Sequence, residues 1–96
     1  MDIRHPRIKR LVETVSTQFT WLPESQRTIT ALMDAYISHY VQDGPDAEPT
    51  QEALRLVSSV EMRPALKEYY QRLGPNRGAE MEQVYRRLSA AVGEAL

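Results

Sequence analysis

Ile29-Thr30-Ala31-Leu32-Met33-Asp34-Ala35-Tyr36-Ile37-Ser38-His39-Tyr40-Val41 is the stretch that decides the architecture. Its large apolar residues, Ile29, Leu32, Met33, Tyr36, Ile37, Tyr40 and Val41, recur at i, i+3, i+4, i+7, i+8, i+11 and i+12. That spacing draws one broad stripe along a helix and fits no face of a strand. A stripe this wide is expected of a central core helix. Gly44 is a ready residue for the turn beyond its C-terminus, and Pro45 forbids continuation.

Working outward, the same period recurs on both sides. Upstream, Ile8, Leu11, Val12, Val15, Phe19 and Leu22 keep helical spacing. Pro6 suits the first helical position, where no amide donor is needed, so a helix is expected from about Pro6 to Leu22, ended by Pro23. Downstream, a third helix starts near Pro49-Thr50, with Gln51 and Glu52 in a first turn that favours negative charge. Ala53, Leu54, Val57 and Val60 are its expected inner face. Pro64 cannot lie deep in a helix without deleting a hydrogen bond, which predicts a break around Ser58 to Arg63. A helix from about Arg63 to Leu73 follows, with Leu66, Tyr69, Tyr70 and Leu73 inward and Gly74-Pro75 as its stop. Asn76 is the expected N-cap of the last helix, whose buried face carries Met81, Val84, Tyr85, Leu88, Val92 and Leu96. No useful segment alternates with period two. The expectation is an all-α fold, a compact bundle of four to five amphipathic helices forming a single helical domain over 1–96.

Ninety-six residues, 42% hydrophobic and 26% charged, are enough for one folded core and too few for two. The chain has no cysteine, which removes disulfides, thiolate ligands and cysteine nucleophiles. No apolar run is long enough to cross a membrane. Met1-Asp2-Ile3-Arg4-His5-Pro6 has no apolar signal-peptide core, so a cytoplasmic setting is the default expectation. Twelve Lys and Arg against thirteen Asp and Glu give a net charge of −1, unlike the cationic excess of a nonspecific nucleic-acid binder. The charge is segregated: Arg4, Arg7, Lys9 and Arg10 crowd one end, and Asp43, Asp46, Glu48 and Glu52 occupy a stretch without a cation.

Little in the sequence points to bond-making chemistry. His5 and His39 are the two histidines, and His39 with Asp43 at i+4 makes a surface pair, short of the three or four ligands a zinc site needs. Ser58-Ser59 lies outside any nucleophile elbow, and four scattered glycines make no phosphate loop. No catalytic residue, metal or cofactor is expected. Five tyrosines against one phenylalanine are more distinctive. Tyr36 and Tyr40 share one helix face, Tyr69 and Tyr70 fall on adjacent sides of the next-to-last helix, and Tyr85 belongs to the last. Trp21, in the Thr20-Trp21-Leu22-Pro23 turn, is either a binding hot spot or a plug for the end of the bundle.

Thr50-Gln51-Glu52-Ala53-Leu54, with Val60-Glu61-Met62-Arg63-Pro64-Ala65-Leu66, resembles a helix-turn-helix motif. That resemblance implies DNA binding, with Arg63, Lys67 and Gln71 as an exposed row on the recognition helix. The stretch from Glu52-Ala53-Leu54-Arg55 through Tyr69-Tyr70-Gln71-Arg72-Leu73-Gly74-Pro75 also resembles the TipAS-type antibiotic-recognition domain, the all-helical effector domain of MerR-like regulators. That resemblance implies an apolar, peptide-like small ligand held between helices, with Tyr69 and Tyr70 as the positions carried over. Without cysteine, covalent capture of a ligand is excluded. The leading expectation is a non-enzymatic, regulatory binding module. Its partner is a protein or an apolar small molecule, held in an inter-helix groove lined by Tyr36, Tyr40, Tyr69 and Tyr70, with Trp21 as a further contact. Self-association as a homodimer is a secondary expectation, and DNA binding through residues 50–73 is the alternative.

Overall fold

The computed structural model describes residues 6–96, the side chain of Ser16 excepted. Arg4, His5 and the N-terminal hexapeptide's first five residues, on which the signal-peptide reading rests, lie outside the described residues. Five helices follow one another: α1 (Pro6–Ser16), α2 (Glu24–Asp43), α3 (Glu48–Val57), α4 (Arg63–Leu73) and α5 (Ala79–Val92), with a 3-10 turn at Val60–Met62 between α3 and α4. No strand occurs among the described residues, and no helix there is long and apolar enough to cross a membrane. The all-α bundle expected from the periodicity is the fold.

Helix α2 is the axis around which the rest assembles. Ile29, Leu32 and Met33 are wholly buried and Tyr36 nearly so. The backbones of α1 and α3 approach α2 most closely, and α4 packs on it less closely. Ala31 and Ala35, also wholly buried, give those neighbours room. These alanines shift the buried arc of the helix. At about 100° per residue, the arc runs from Ala31 through Leu32 and Tyr36 to Met33, and Val41 falls in the remaining gap with Asp34. Val41 is therefore 60% exposed rather than part of the buried stripe. Gly44 ends the helix at φ +89°, a conformation that costs a glycine little, and its N–H donates to the Tyr40 carbonyl.

The expected helix over 6–22 is shorter than its spacing suggested. Helix α1 stops at Ser16, and Phe19 and Leu22 lie in turns closed by Gln18 N–H to the Val15 carbonyl and Leu22 N–H to the Phe19 carbonyl. Thr14-Val15-Ser16-Thr17 is a run of β-branched and hydroxyl side chains, poor for continuing a helix. The Thr17 hydroxyl donates to the Thr14 carbonyl at 2.7 Å.

The break before Pro64 is where the sequence places it. The Ser58 and Ser59 hydroxyls donate to the Leu54 and Leu56 carbonyls, at 2.6 and 2.8 Å, as second donors beside the backbone N–H groups of the same serines where α3 ends. Past Val57 the helical phase is lost, and Val60 is 78% exposed instead of inward. Pro64 sits in the first turn of α4, and Leu73, its last residue, is partly exposed rather than buried. Helix α5 begins one step after Gly78, so Asn76 is a loop residue and not its N-cap. Val84, Leu88 and Val92 are buried, and Met81, Tyr85 and Leu96 pack half-buried against the core.

One continuous apolar cluster joins all five helices. The radius of gyration, 12.4 Å, matches the about 12.5 Å of a compact chain of this length. Each fully buried leucine in it, such as Leu32 or Leu66, contributes about 1.5–3 kcal/mol relative to exposure.

Candidate functional site

Four expected site residues converge, with partners the periodicity did not indicate. Tyr36 and Tyr40 stack edge to face on α2, with ring centres 6.0 Å apart. Tyr70 stacks the same way on Tyr69 at 5.5 Å and on Tyr85 of α5 at 5.1 Å. Edge-to-face contact brings the positive rim of one ring to the negative face of the next. Arginines fill the remaining faces. Arg77, from the loop before α5, lies 3.9 Å from the Tyr85 ring centre and 5.5 Å from that of Tyr70. Arg72 lies over Tyr69 at 5.6 Å and Arg87 over Tyr40 at 5.7 Å. Arg77 also faces Glu82 at 3.3 Å.

The layer is a packed interface rather than an open groove. Tyr36 and Tyr70 are 1% and 3% exposed, and Tyr40 and Tyr69 are half-buried. The Tyr40 hydroxyl donates to the Gln83 side-chain oxygen across to α5 at 3.3 Å. The Tyr70 hydroxyl is buried and has no hydrogen-bond partner among the described residues. Burial pushes the hydroxyls of Tyr36, Tyr69 and Tyr70 above their ordinary range, Tyr70 furthest, while the adjacent Arg87, Arg72 and Arg77 respectively pull back. At neutral pH all three are therefore neutral hydroxyls.

Trp21 does not plug the bundle. It is 73% exposed and stacks on Phe19 at 6.0 Å, in the turn that replaces the end of the expected first helix. It stands three residues before Glu24, which opens α2 and borders a cleft of about 470 Å³ between α2 and α4. Glu24, Glu61 and Glu68 line this cleft, with Met62, Pro64 and Ala65 as apolar wall. Val60, 78% exposed, is next to Glu61 in the chain.

The same end of the molecule holds a polar tie that the stripe reading missed. Gln26, 1% exposed, donates to the Ala65 carbonyl and to Glu68, both at 3.1 Å, and accepts from the Arg72 guanidinium at 2.7 Å. It stands at i−3 from Ile29, in register with the apolar stripe; a polar residue there has to be satisfied internally. His39 and Asp43 form the expected i,i+4 pair at 3.0 Å, but His39 is buried rather than a surface residue.

The three residues of the DNA-binding alternative share α4 and differ in environment. Arg63 is half-buried, Gln71 is exposed, and Lys67 is paired with Glu94 at 2.7 Å. No group of three or more histidine or acidic side chains suited to a metal ion occurs among the described residues. No family model, curated protein or solved structure matches the chain.

Proposed function

We propose that the chain is a non-enzymatic protein-interaction module that docks a basic, apolar segment of a partner protein on the face around Trp21. The carrying observation is the exposure of the chain's single tryptophan, 73% open to solvent and braced by Phe19. An aromatic held open by the fold is a residue type that dominates binding interfaces. Val60 adds a second apolar contact beyond the cleft, and the Glu24, Glu61 and Glu68 carboxylates favour lysine or arginine in the partner. A regulatory adaptor of this kind would work in the cytoplasm without a cofactor.

Because Trp21 is the only tryptophan, its emission reads this face directly. An amphipathic Leu/Lys peptide is expected to shift that emission to the blue in a saturable way, and a matched Leu/Glu peptide is not. Glu24→Gln with Glu61→Gln should weaken the Leu/Lys response. Equal responses to both peptides, or none, would refute the assignment.

One observation favours a second reading, a sensor of apolar small molecules between α2 and α4: the buried Tyr70 hydroxyl without a partner. Such a ligand would have to part Tyr36 from Tyr70. A ligand-dependent rise in melting temperature, reduced by Tyr40→Phe and Tyr70→Phe, is its signature.

A further inference from the structure

A second cleft, of about 420 Å³, lies between α1 and the C-terminal half of α2. Arg7, Arg10 and Thr14 line it from α1, and Ser38, His39 and Gln42 from α2. No carboxylate is among its lining residues. Ser38 is fourteen residues along α2 from Glu24, about 21 Å at helical rise, so this cleft and the Trp21 face occupy different ends of the helix.

Its two arginines are both exposed and line the one cleft together. Arg55, Lys67, Arg77 and Arg86 each face a carboxylate. Among the described residues, Arg7 and Arg10 face none. They stand at i and i+3 and so share one side of α1. Arg7 is in its first turn, where the helix dipole favours an anion. Across the gap, the Ser38 hydroxyl and the Gln42 amide are able to donate. The nearest acids are set aside from the cleft: Asp43 bonds the Nδ1 of His39 at 3.0 Å, and Glu13, one turn beyond Arg10, is outside the lining.

We propose that this cleft binds a phosphate monoester. Two guanidiniums match a dianion in charge, and their planar forks take paired phosphate oxygens. Ser38 and Gln42 reach the tetrahedral group from the opposite wall, which a planar monoanionic carboxylate would engage less fully. The volume accommodates a phosphate together with the small organic group that carries it. This site is independent of the Trp21 reading.

The test is a titration of the full chain with phenyl phosphate, with benzoate as the planar monoanion, at constant ionic strength, followed by backbone amide NMR. Phenyl phosphate is expected to give saturable shifts confined to residues 7–14 and 38–42, with benzoate about tenfold weaker. Arg7→Gln and Arg10→Gln should each weaken binding about tenfold, with helical circular dichroism retained because both side chains are exposed. Lys9→Gln, an equal change of charge on the same helix outside the cleft, should leave affinity unchanged. A phosphoserine peptide that binds more tightly than phenyl phosphate would assign the phosphate to a protein, and the reverse to a metabolite; either supports the site. Trp21 emission should stay constant throughout. Absence of saturation, shifts spread over other basic surfaces, or equal loss in Lys9→Gln would overturn the proposal.

Discussion

The two sides of α2 are built in different ways. On one, α1 and α3 bring their backbones close to α2, with Ala31, Ala35 and Ala53 wholly buried and larger aliphatics filling the spaces between. On the other, α5 keeps its backbone further from every neighbour and reaches the core through long side chains, among them the layer of tyrosines and arginines. Close backbone approach leaves no slack, so a lost methylene there becomes a cavity. A layer of rings and guanidiniums has more freedom to resettle. The contrast teaches that exposure alone does not measure how rigidly a residue is held: Leu32 and Leu88 are both wholly buried, in surroundings that differ in their ability to collapse.

Truncation separates the two sides most sharply. Leu32→Ala is expected to cost about 3–4 kcal/mol in urea unfolding and Leu88→Ala about 2 kcal/mol, since the cost of a core truncation depends on how far the site relaxes. Equal costs would erase the contrast. Arg77→Ala comes next. It removes a guanidinium that lies over the Tyr85 ring, near that of Tyr70, and faces Glu82, and is expected to cost about 1–2 kcal/mol. Arg77→Lys should recover only part of this, because an ammonium lacks the planar face that lies against a ring. A cost near zero would mean that the arginine merely covers the layer.

Tyr70→Phe has the smallest expected effect and the most informative sign. Its hydroxyl is buried without a partner among the described residues, so removal at neutral pH should be neutral or stabilising by up to about 1 kcal/mol. Alkali adds a second readout. The folded chain holds the Tyr70 proton more tightly than the unfolded chain, whose hydroxyl titrates near 10.0. The stability this linkage carries is complete below that pH and is lost as pH rises through the folded value. Unfolding midpoints should therefore fall above about pH 10, and less steeply in Tyr70→Phe. Tyr36 and Tyr69, raised in the same direction, leave the variant a residual slope.

Much of the fold was legible because the signals that mark it are local. The stripe from Ile29 to Tyr40, the stop at Gly44 and the break before Pro64 depend on helical period, backbone freedom and a missing amide, each read within a few residues. The misreadings cluster where a local rule had to be extrapolated. Val41 and Val60 continued a spacing beyond the arc or the helix in which it held. Phe19 and Leu22 kept the period of α1 after its backbone had turned away. At the candidate site, sequence marked the tyrosines as unusual and pointed to an inter-helix groove, without indicating that Tyr36 and Tyr70 are buried and that Tyr70 packs on Tyr85. Gln26 and Arg77 gave almost no signal: one is a polar residue in an apolar register, the other a loop cation.

What the chain's order of residues determined was the helices and their apolar faces, since these follow from spacing and from proline and glycine at the ends. Only the tertiary arrangement decided which faces meet. It closed Tyr36 and Tyr70 into the core, left Trp21 in water, gathered Glu24, Glu61 and Glu68 around one cleft, and set Arg7 and Arg10 opposite Ser38 and Gln42. Those outcomes depend on contacts between residues far apart in the chain, where the volume of an alanine or the reach of an arginine settles what a period of 3.6 cannot.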